Sequence, residues 1–347
     1  MWREIKKIIQ HHSSFLLTTH ANPDGDGIGA ACALTELLLR LGKKVRFVCD
    51  SPIPQKFAFL DYHHTHELYH PEGDYHLVEV VIILDTHKKE RVGRLSDLID
   101  KPKMITVCID HHKPCETFTP YTVIDSQACC VGAMIYTLYK EWGFTLNLRA
   151  ASGIYASVIC DTGRFSYSCT TCKAHKIADE CIKAGVDPDL MHSRLFQHVS
   201  LAQIRMFAQT LQHMETYLDN KVIVEEIRRE DYEKIGGDLL DIENADLEYI
   251  HDFNKLIEDV ECVVLLRELN NNQVRVSLRS RSDLDIEKIM RTLGGGGHSH
   301  AAGAIWNGSL AEVKKRILDS LRDLLNQSAQ QDMKQGRQSP AYGQTAV

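Results

Sequence analysis

Apolar positions in the first half of the chain fall into short β-leaning runs that alternate with longer runs at helical spacing. Ser14 to Thr19 (SFLLTT) reads as a strand, and residues 28–41 (IGAACALTELLLRL) read as a helix stopped by Gly42. Further strand patterns lie at Lys44 to Cys49, Leu77 to Leu84 and Met104 to Ile109, with helical patterns at 130–143 and 148–160. The strands are nearly continuous in Val and Ile, as in a parallel sheet covered on both faces. This alternation predicts an α/β domain with a doubly wound, mostly parallel sheet, whose ligands bind beyond the carboxyl ends of the strands.

A composition change near residues 186–200 marks a boundary, and 199–217 reads as a bridging helix. Strand patterns at 221–227, 261–267 and 273–279, with helices near 245–258, 285–291 and 309–326, predict a smaller α+β C-terminal domain. From Gln327 the chain is rich in Gln, Ser, Lys, Gly and Pro and has little to bury, which predicts disorder. The expected division is therefore a first domain over 1–190, a helical linker over 191–217, a second domain over 218–326 and a tail over 327–347.

Length and composition agree with two soluble domains: 347 residues, 44% apolar and 25% charged. No apolar run approaches the ~20 residues of a membrane span, and charges in Met1-Trp2-Arg3-Glu4-Ile5-Lys6-Lys7 occupy the place of a signal peptide's apolar region. A cytoplasmic location is expected. A net charge of −7 argues against a general nucleic-acid coat protein but allows a small phosphorylated ligand. In that compartment the eleven cysteines stay reduced. Cys169 and Cys172 form a C-x-x-C without the second pair of a zinc finger, and Cys129-Cys130 reads as buried small residues at a helix start.

The acids and histidines carry the chemistry. His20-Ala21-Asn22-Pro23-Asp24-Gly25-Asp26 follows the first strand, Asp85 closes the third, Asp110-His111-His112 closes the fourth, and Asp161-Thr162-Gly163 ends the helix over 148–160. Any one of these acids alone reads as a helix cap or turn residue, and the His-rich stretch 63–70 lacks the strand-end context and reads as solvated surface. Four clusters ending four apolar elements, three of them on the binding edge of one sheet, form a constellation. Clustered carboxylates repel one another unless a cation compensates them. A carboxylate and imidazole set without thiolate suits manganese, cobalt or magnesium, and the imidazoles favour manganese. Two such ions ~3.5 to 4 Å apart stabilise the attacking and leaving oxygens at phosphorus.

These runs resemble the four motifs of the DHH phosphoesterases. Gly294-Gly295-Gly296-Gly297-His298-Ser299-His300-Ala301-Ala302-Gly303 is similar to the Gly-Gly-Gly-His motif of the domain that accompanies DHH in one subfamily. The resemblance spans nearly all of residues 1–325, and the compact size looks most like the NrnA type. It implies a manganese-dependent, two-metal hydrolase acting on short RNA, linear dinucleotides or bisphosphorylated adenosine. It places His20 and Asp24 on one metal and Asp26, His111 and Asp161 on the other, with Asp85 bridging. Asp110 would orient a ligand histidine, and His112 would face the substrate phosphate. Substrate binding would fall to Gly295, Gly296, Gly297, His298 and Arg279, the last preferred to Arg281 because it sits at the end of its strand.

A glycine run also exposes backbone N–H groups to a phosphate, and arginine adds a bidentate contact. Gly29-Ala30 departs from the family's frequent serine at a helix-packing position. A family II-type pyrophosphatase, a RecJ-type exonuclease, a cyclic-dinucleotide phosphodiesterase and a nucleotide-binding scaffold are the competing readings. The Gly-rich His loop argues against the first, and the lack of an added binding module against the second. No stable binding of long nucleic acid and no membrane partner are expected, and a homodimer is compatible with the sequence.

Overall fold

The computed structural model describes residues 2–99, 104–112, 118–197, 200–235, 253–254, 257–269, 272–281, 284–298 and 300–335. Two compact units divide the chain, Met1–His198 and Val199–Val347. The first begins with helix α1 (Arg3–His11), whose Ile5, Ile8 and Ile9 face inward. Strand β1 (Ser14–Thr18) then leads into α2 (Gly25–Arg40). Strands β2 (Lys44–Cys49), β3 (His66–Leu68), β4 (Val80–Leu84), β5 (Ile105–Asp110) and β6 (Tyr121–Ile124) complete one sheet. A four-residue helix α3 (Ser96–Ile99) lies between β4 and β5. Helices α4 (Val131–Glu141), α5 (Leu148–Asp161), α6 (Cys172–Lys183) and α7 (Pro188–Phe196) follow β6.

All five strand pairings in this sheet are parallel, in the order β3-β2-β1-β4-β5-β6. Alternate residues face opposite layers. Phe15, Leu17, Ile82 and Ile109 pack under α1, α2 and α4 to α7, whereas Leu16, Val48, Val81 and Ile83 pack on Tyr69, Val92, Leu95 and Leu98. The mostly parallel α/β expectation thus describes this unit. The strand order reverses between β1 and β4, so the connections leaving their carboxyl ends diverge and open a crevice there. Helices α2 and α5 meet at Gly29 and Gly153, where a side chain on either would collide with the carbonyl of the other.

The second unit contains α8 (Leu201–Gln212), β7 (Glu215–Tyr217), β8 (Val222–Ile227), α9 (Arg229–Ile235), β9 (Cys262–Leu269) and β10 (Gln273–Ser280). It continues through α10 (Glu287–Thr292), β11 (Gly296–His298), β12 (Ala301–Asn307) and α11 (Leu310–Gln335). Its sheet runs β11-β12-β10-β9-β8-β7, antiparallel except for β8 with β9. Val224, Val264, Val276 and Leu278 face Met290 of α10 and Val313, Ile317 and Leu321 of α11. On the opposite face, Ile227 and Leu265 pack with Met206 of α8 and Tyr232 of α9.

Several elements differ from expectation. The expected helix over 199–217 ends at Gln212, because β7 pairs with β8 in a hairpin that helical periodicity does not register. The break between units falls at 198/199, so the expected linker over 191–217 is shared, α7 belonging to the first unit and α8 to the second. Helix α11 continues through 327–335, where disorder was expected; its apolar stripe anchors a helix that strong helix formers then extend. Most of the helix expected near 245–258 lies outside the described residues, as do residues 336–347 of the expected tail.

Glu225 of β8 is fully buried beside Asn254, which only partly offsets the burial of its carboxyl. Burial pushes its carboxyl up to about 7, from an ordinary value of 4.5. Folding then takes up a proton between these two values, so stability falls as pH rises from about 4.5 to 7 and levels off above. Glu225→Gln should abolish that slope and stabilise the protein by on the order of 2 kcal/mol at alkaline pH. Urea denaturation across a pH series measures both, and an unchanged slope in the variant would exclude Glu225 as its source.

Candidate metal centre

The crevice between β1 and β4 gathers the strand-end acids and histidines. His20 lies just beyond β1 and is buried. Its Nδ1 donates to the Ala21 carbonyl at 2.9 Å, leaving Nε2 3.5 Å from Asp24 Oδ2 and 3.4 Å from Asp85 Oδ2. Asp24 caps α2, one oxygen accepting from the N–H groups of Asp26 (3.0 Å) and Gly27 (3.2 Å). The other oxygen is the one that faces His20. Asp26, in the first turn of α2, accepts from Val131 N–H at 2.8 Å, Gly132 N–H at 3.1 Å and the Ser157 hydroxyl.

Asp85 follows β4 with φ of 63°, a left-handed turn uncommon for a residue with a side chain. It is buried, and among the described residues its Oδ1 has no hydrogen-bond partner. His111 mirrors His20. Its Nδ1 donates to the Ala128 carbonyl at 3.3 Å, and its Nε2 lies 3.5 Å from Asp26, 3.7 Å from Asp85 and 3.3 Å from Asp161. In both rings the carbonyl bond occupies Nδ1 and turns Nε2 towards the centre, the orientation that metal-ligating histidines require. Asp161 is the last residue of α5.

Ligand atoms fall within 4.8 Å of one another in three groups: His20 with Asp24 and Asp85, Asp26 with His111 and Asp161, and Asp85 with His111 and His112. The structure therefore brings together all six residues expected as metal ligands, with Asp85 within reach of both clusters. Among the described residues no such group includes a cysteine. Cys169 instead donates to the Asp161 carbonyl, and Cys130 caps α4.

Electrostatics show the same demand for a cation. Burial first, and then the neighbouring carboxylates, push Asp85 and Asp161 upward, the latter to about 10. Burial likewise raises Asp26 despite its donors. Asp24, whose side chain is exposed, is held near 2 by the His20 imidazole and two backbone N–H groups. Bare, the centre is short of positive charge. Four carboxylates, two oriented imidazoles and an orphaned buried Asp85 oxygen fit hard or borderline divalent ions, and two such ions would balance the four negative charges.

Asp110, expected to orient a ligand histidine, bonds to His112, His87 and the His111 backbone. It does not orient the ring of ligand His111, which the Ala128 carbonyl holds. Its Oδ1 accepts from His112 Nδ1 at 2.7 Å and from the N–H groups of His111 (2.8 Å) and His112 (3.3 Å), and its Oδ2 bonds to His87. His87 was not singled out in the sequence; its signal was the position two residues beyond the strand-end Asp85. Ser157, which holds Asp26, lies inside a helix and gave none.

In the second unit, β10, β12 and β11 place Arg279, Ala301 and His298 in one cross-strand row. The side chain of His298 lies outside the described residues. Gly295, Gly296 and Gly297 do not form the open loop expected of them. Gly294 turns the chain after α10 with φ of 77°, and Gly296 and Gly297 then form the edge strand β11. Side chains at Gly295 or Gly297 would collide with the backbone of β12, so glycine is what lets this edge lie flat. An edge strand leaves one row of N–H groups without ladder partners.

The DHH family N-terminal domain matches residues 14–160, and the DHHA1 domain matches residues 219–327. The chain carries both a DHH domain and a DHHA1 domain. The DHH domain carries every member of the three His/Asp groups except Asp161, which directly follows the matched span. Over 308 residues the chain is 28% identical to the bifunctional oligoribonuclease and PAP phosphatase NrnA of Bacillus subtilis, covering 88% of this chain and 93% of that protein. It is 28% identical to the NrnA of Thermus thermophilus over 321 residues, covering 90% of each. The structure of an exopolyphosphatase-related protein from Bacteroides fragilis shares the fold, with a TM-score of 0.84 at 22% identity over 93% of this chain and 96% of that one.

The charge imbalance makes a direct prediction. Saturating manganese at about 100 times its Kd should stabilise the chelator-treated wild type by about 2.7 kcal/mol for each ion bound. Asp85→Asn should be more stable than the wild type without metal, since one repelling charge is gone, and should lose most of the metal-induced gain. Calorimetric melting with chelator and with manganese measures both, and a wild-type melting temperature indifferent to manganese would contradict this assignment.

Proposed function

We propose that this DHH protein is a manganese-dependent phosphoesterase that hydrolyses short oligoribonucleotides, linear dinucleotides and 3′-phosphoadenosine 5′-phosphate to mononucleotides. The observation that carries the reading is the pair of His/carboxylate clusters joined at Asp85. The names of the NrnA relatives support the substrate class. Bound at the two clusters, divalent ions would supply positive charge to the attacking and leaving oxygens of a phosphoryl group. The protein's own residues set the rest. Asp110 raises the His112 imidazole above its ordinary range by hydrogen bonding, against the opposing effect of burial. A partly exposed, protonated His112 beside the clusters is suited to contact a substrate phosphate and to give a proton to the leaving oxygen.

Arg279, with Gly295, Gly296, Gly297 and His298, is the substrate-binding contribution we assign to the DHHA1 domain. No helix among the described residues is long and apolar enough to cross a membrane, and cysteines such as Cys32, Cys49 and Cys108 are free thiols. A reducing cytoplasm keeps such thiols free, and we place the reaction there.

The net charge of −7 provides no general track for a long strand. We therefore expect kcat/KM to be highest for two to five nucleotides and to fall for strands of about 24, beyond the ~4 to 16 nucleotide footprint of one binding module. Duplexes should be refused, and the salt dependence should be shallow. Initial rates on end-labelled RNA of graded length with manganese test this, and faster processive degradation of the longest strand would overturn it. Arg279→Ala should lower kcat/KM by roughly 10²- to 10³-fold, the scale of one lost preorganised donor, with metal content unchanged. Loss of metal in that variant would refute the substrate assignment.

A further inference from the structure

Beyond the ligand set, the centre contains a second tie between neighbouring strands. Strands β4 and β5 pair with Leu84 opposite Ile109. The residues that follow each of these positions diverge in role, Asp85 joining the metal clusters and Asp110 standing apart from them. Asp110 is completely buried, and its carboxylate lies between two imidazoles. One oxygen bonds to His87 Nδ1, while the other accepts from His112 Nδ1 and two backbone N–H groups. The rings of His87 and His112 have centroids 6.4 Å apart and are tilted 53°, so the connection between them runs through the carboxylate.

His87 is itself buried, and among the described residues its Nε2 has no hydrogen-bond partner. A buried imidazole nitrogen left unsatisfied is destabilising, so a purely space-filling role would be met better by an apolar side chain. What the imidazole adds is the bond to Asp110. That bond fixes the rotation of the carboxylate about its last single bond, and with it the direction of the oxygen that holds His112. Without it, Asp110 is anchored only through the oxygen that His112 shares with two backbone N–H groups, and the His112 ring is held less firmly.

We propose that His87 is a positioning residue, acting through Asp110 to hold His112 in its reactive orientation. The proposal rests on the phosphoesterase reading for its kinetic consequence, and on geometry alone for its structural one. His87→Leu keeps the volume but removes the donor, and His87→Asn restores a donor near the place of Nδ1. With manganese and a short RNA substrate, His87→Leu should lower kcat about 10- to 100-fold, the range seen when a supporting hydrogen bond behind an active residue is lost. KM and metal content should stay near wild type, and His87→Asn should recover part of kcat. In the His112→Ala background, His87→Leu should have little further effect, because the two act along one path.

A wild-type kcat in His87→Leu would overturn the proposal, as would loss of metal or a full additional loss on top of His112→Ala. The structural arm needs no turnover. The Nδ1–H proton of His112 should give a slowly exchanging, downfield resonance in the magnesium-loaded wild type that broadens or vanishes in His87→Leu and returns in His87→Asn. If that pattern holds while wild-type enzyme is inert on short RNA, dinucleotide and bisphosphorylated nucleotide, the substrate reading fails and the positioning role stands. An unchanged resonance in His87→Leu, beside an active wild type, refutes the positioning role alone.

Discussion

Mutual repulsion among Asp24, Asp26, Asp85 and Asp161 is the constraint around which the first unit is arranged. A fold that packs four carboxylates at one sheet edge must offset their charge locally or bind cations. Two of the four have local help. Asp24 caps α2, and Asp26 receives N–H groups from the first turn of α4, where the helix dipole favours an anion. Asp161 has the opposite setting, at the carboxyl end of α5, where the dipole is unfavourable to negative charge. Asp85 has an oxygen without a hydrogen-bond donor among the described residues. The two least compensated carboxylates are the ones that a cation would stabilise most.

Strand order explains why the repulsion is concentrated here. Because the order reverses between β1 and β4, no connection crosses above their carboxyl ends, and the residues leaving both strands face one crevice. Helix α5 must come close for Asp161 and Ser157 to reach it. The Gly29–Gly153 contact allows this by bringing α2 and α5 together with no side chain between them. That contact is thus part of the packing that sets the distance between Asp26 and Ser157.

Much of this could be read in the sequence, for a physical reason. A buried parallel strand is a continuous apolar run, so the polar residue that ends it stands out, and His20, Asp85, Asp110 and His111 were all found at such ends. Elements held by pairing or docking left weaker signals. Strand β3 is a three-residue edge inside a His-rich stretch that reads as solvated surface, and β7 lies where helical spacing continues. The glycine run reads as an exposed loop because sequence shows glycine's freedom but not the strand β12 that it lies against. His87 was passed over because a histidine beyond an already assigned acid resembles an ordinary loop residue, and only the fold brings it to Asp110.

The contrast between Asp85 and Asp110 shows how one sheet edge separates two uses of a carboxylate. Both follow apolar strands, both are buried, and they lie on paired neighbours. Asp110 is held below the ordinary carboxylate range, because the imidazoles of His112 and His87 and the His112 N–H outweigh its burial. It is saturated with donors and has no need of a metal. Asp85 is pushed the other way by burial and by Asp26 and Asp24, with His20 only partly offsetting them. The donor count around each oxygen, rather than residue type or depth, therefore decides which aspartate meets the cations and which one positions the neighbouring histidine.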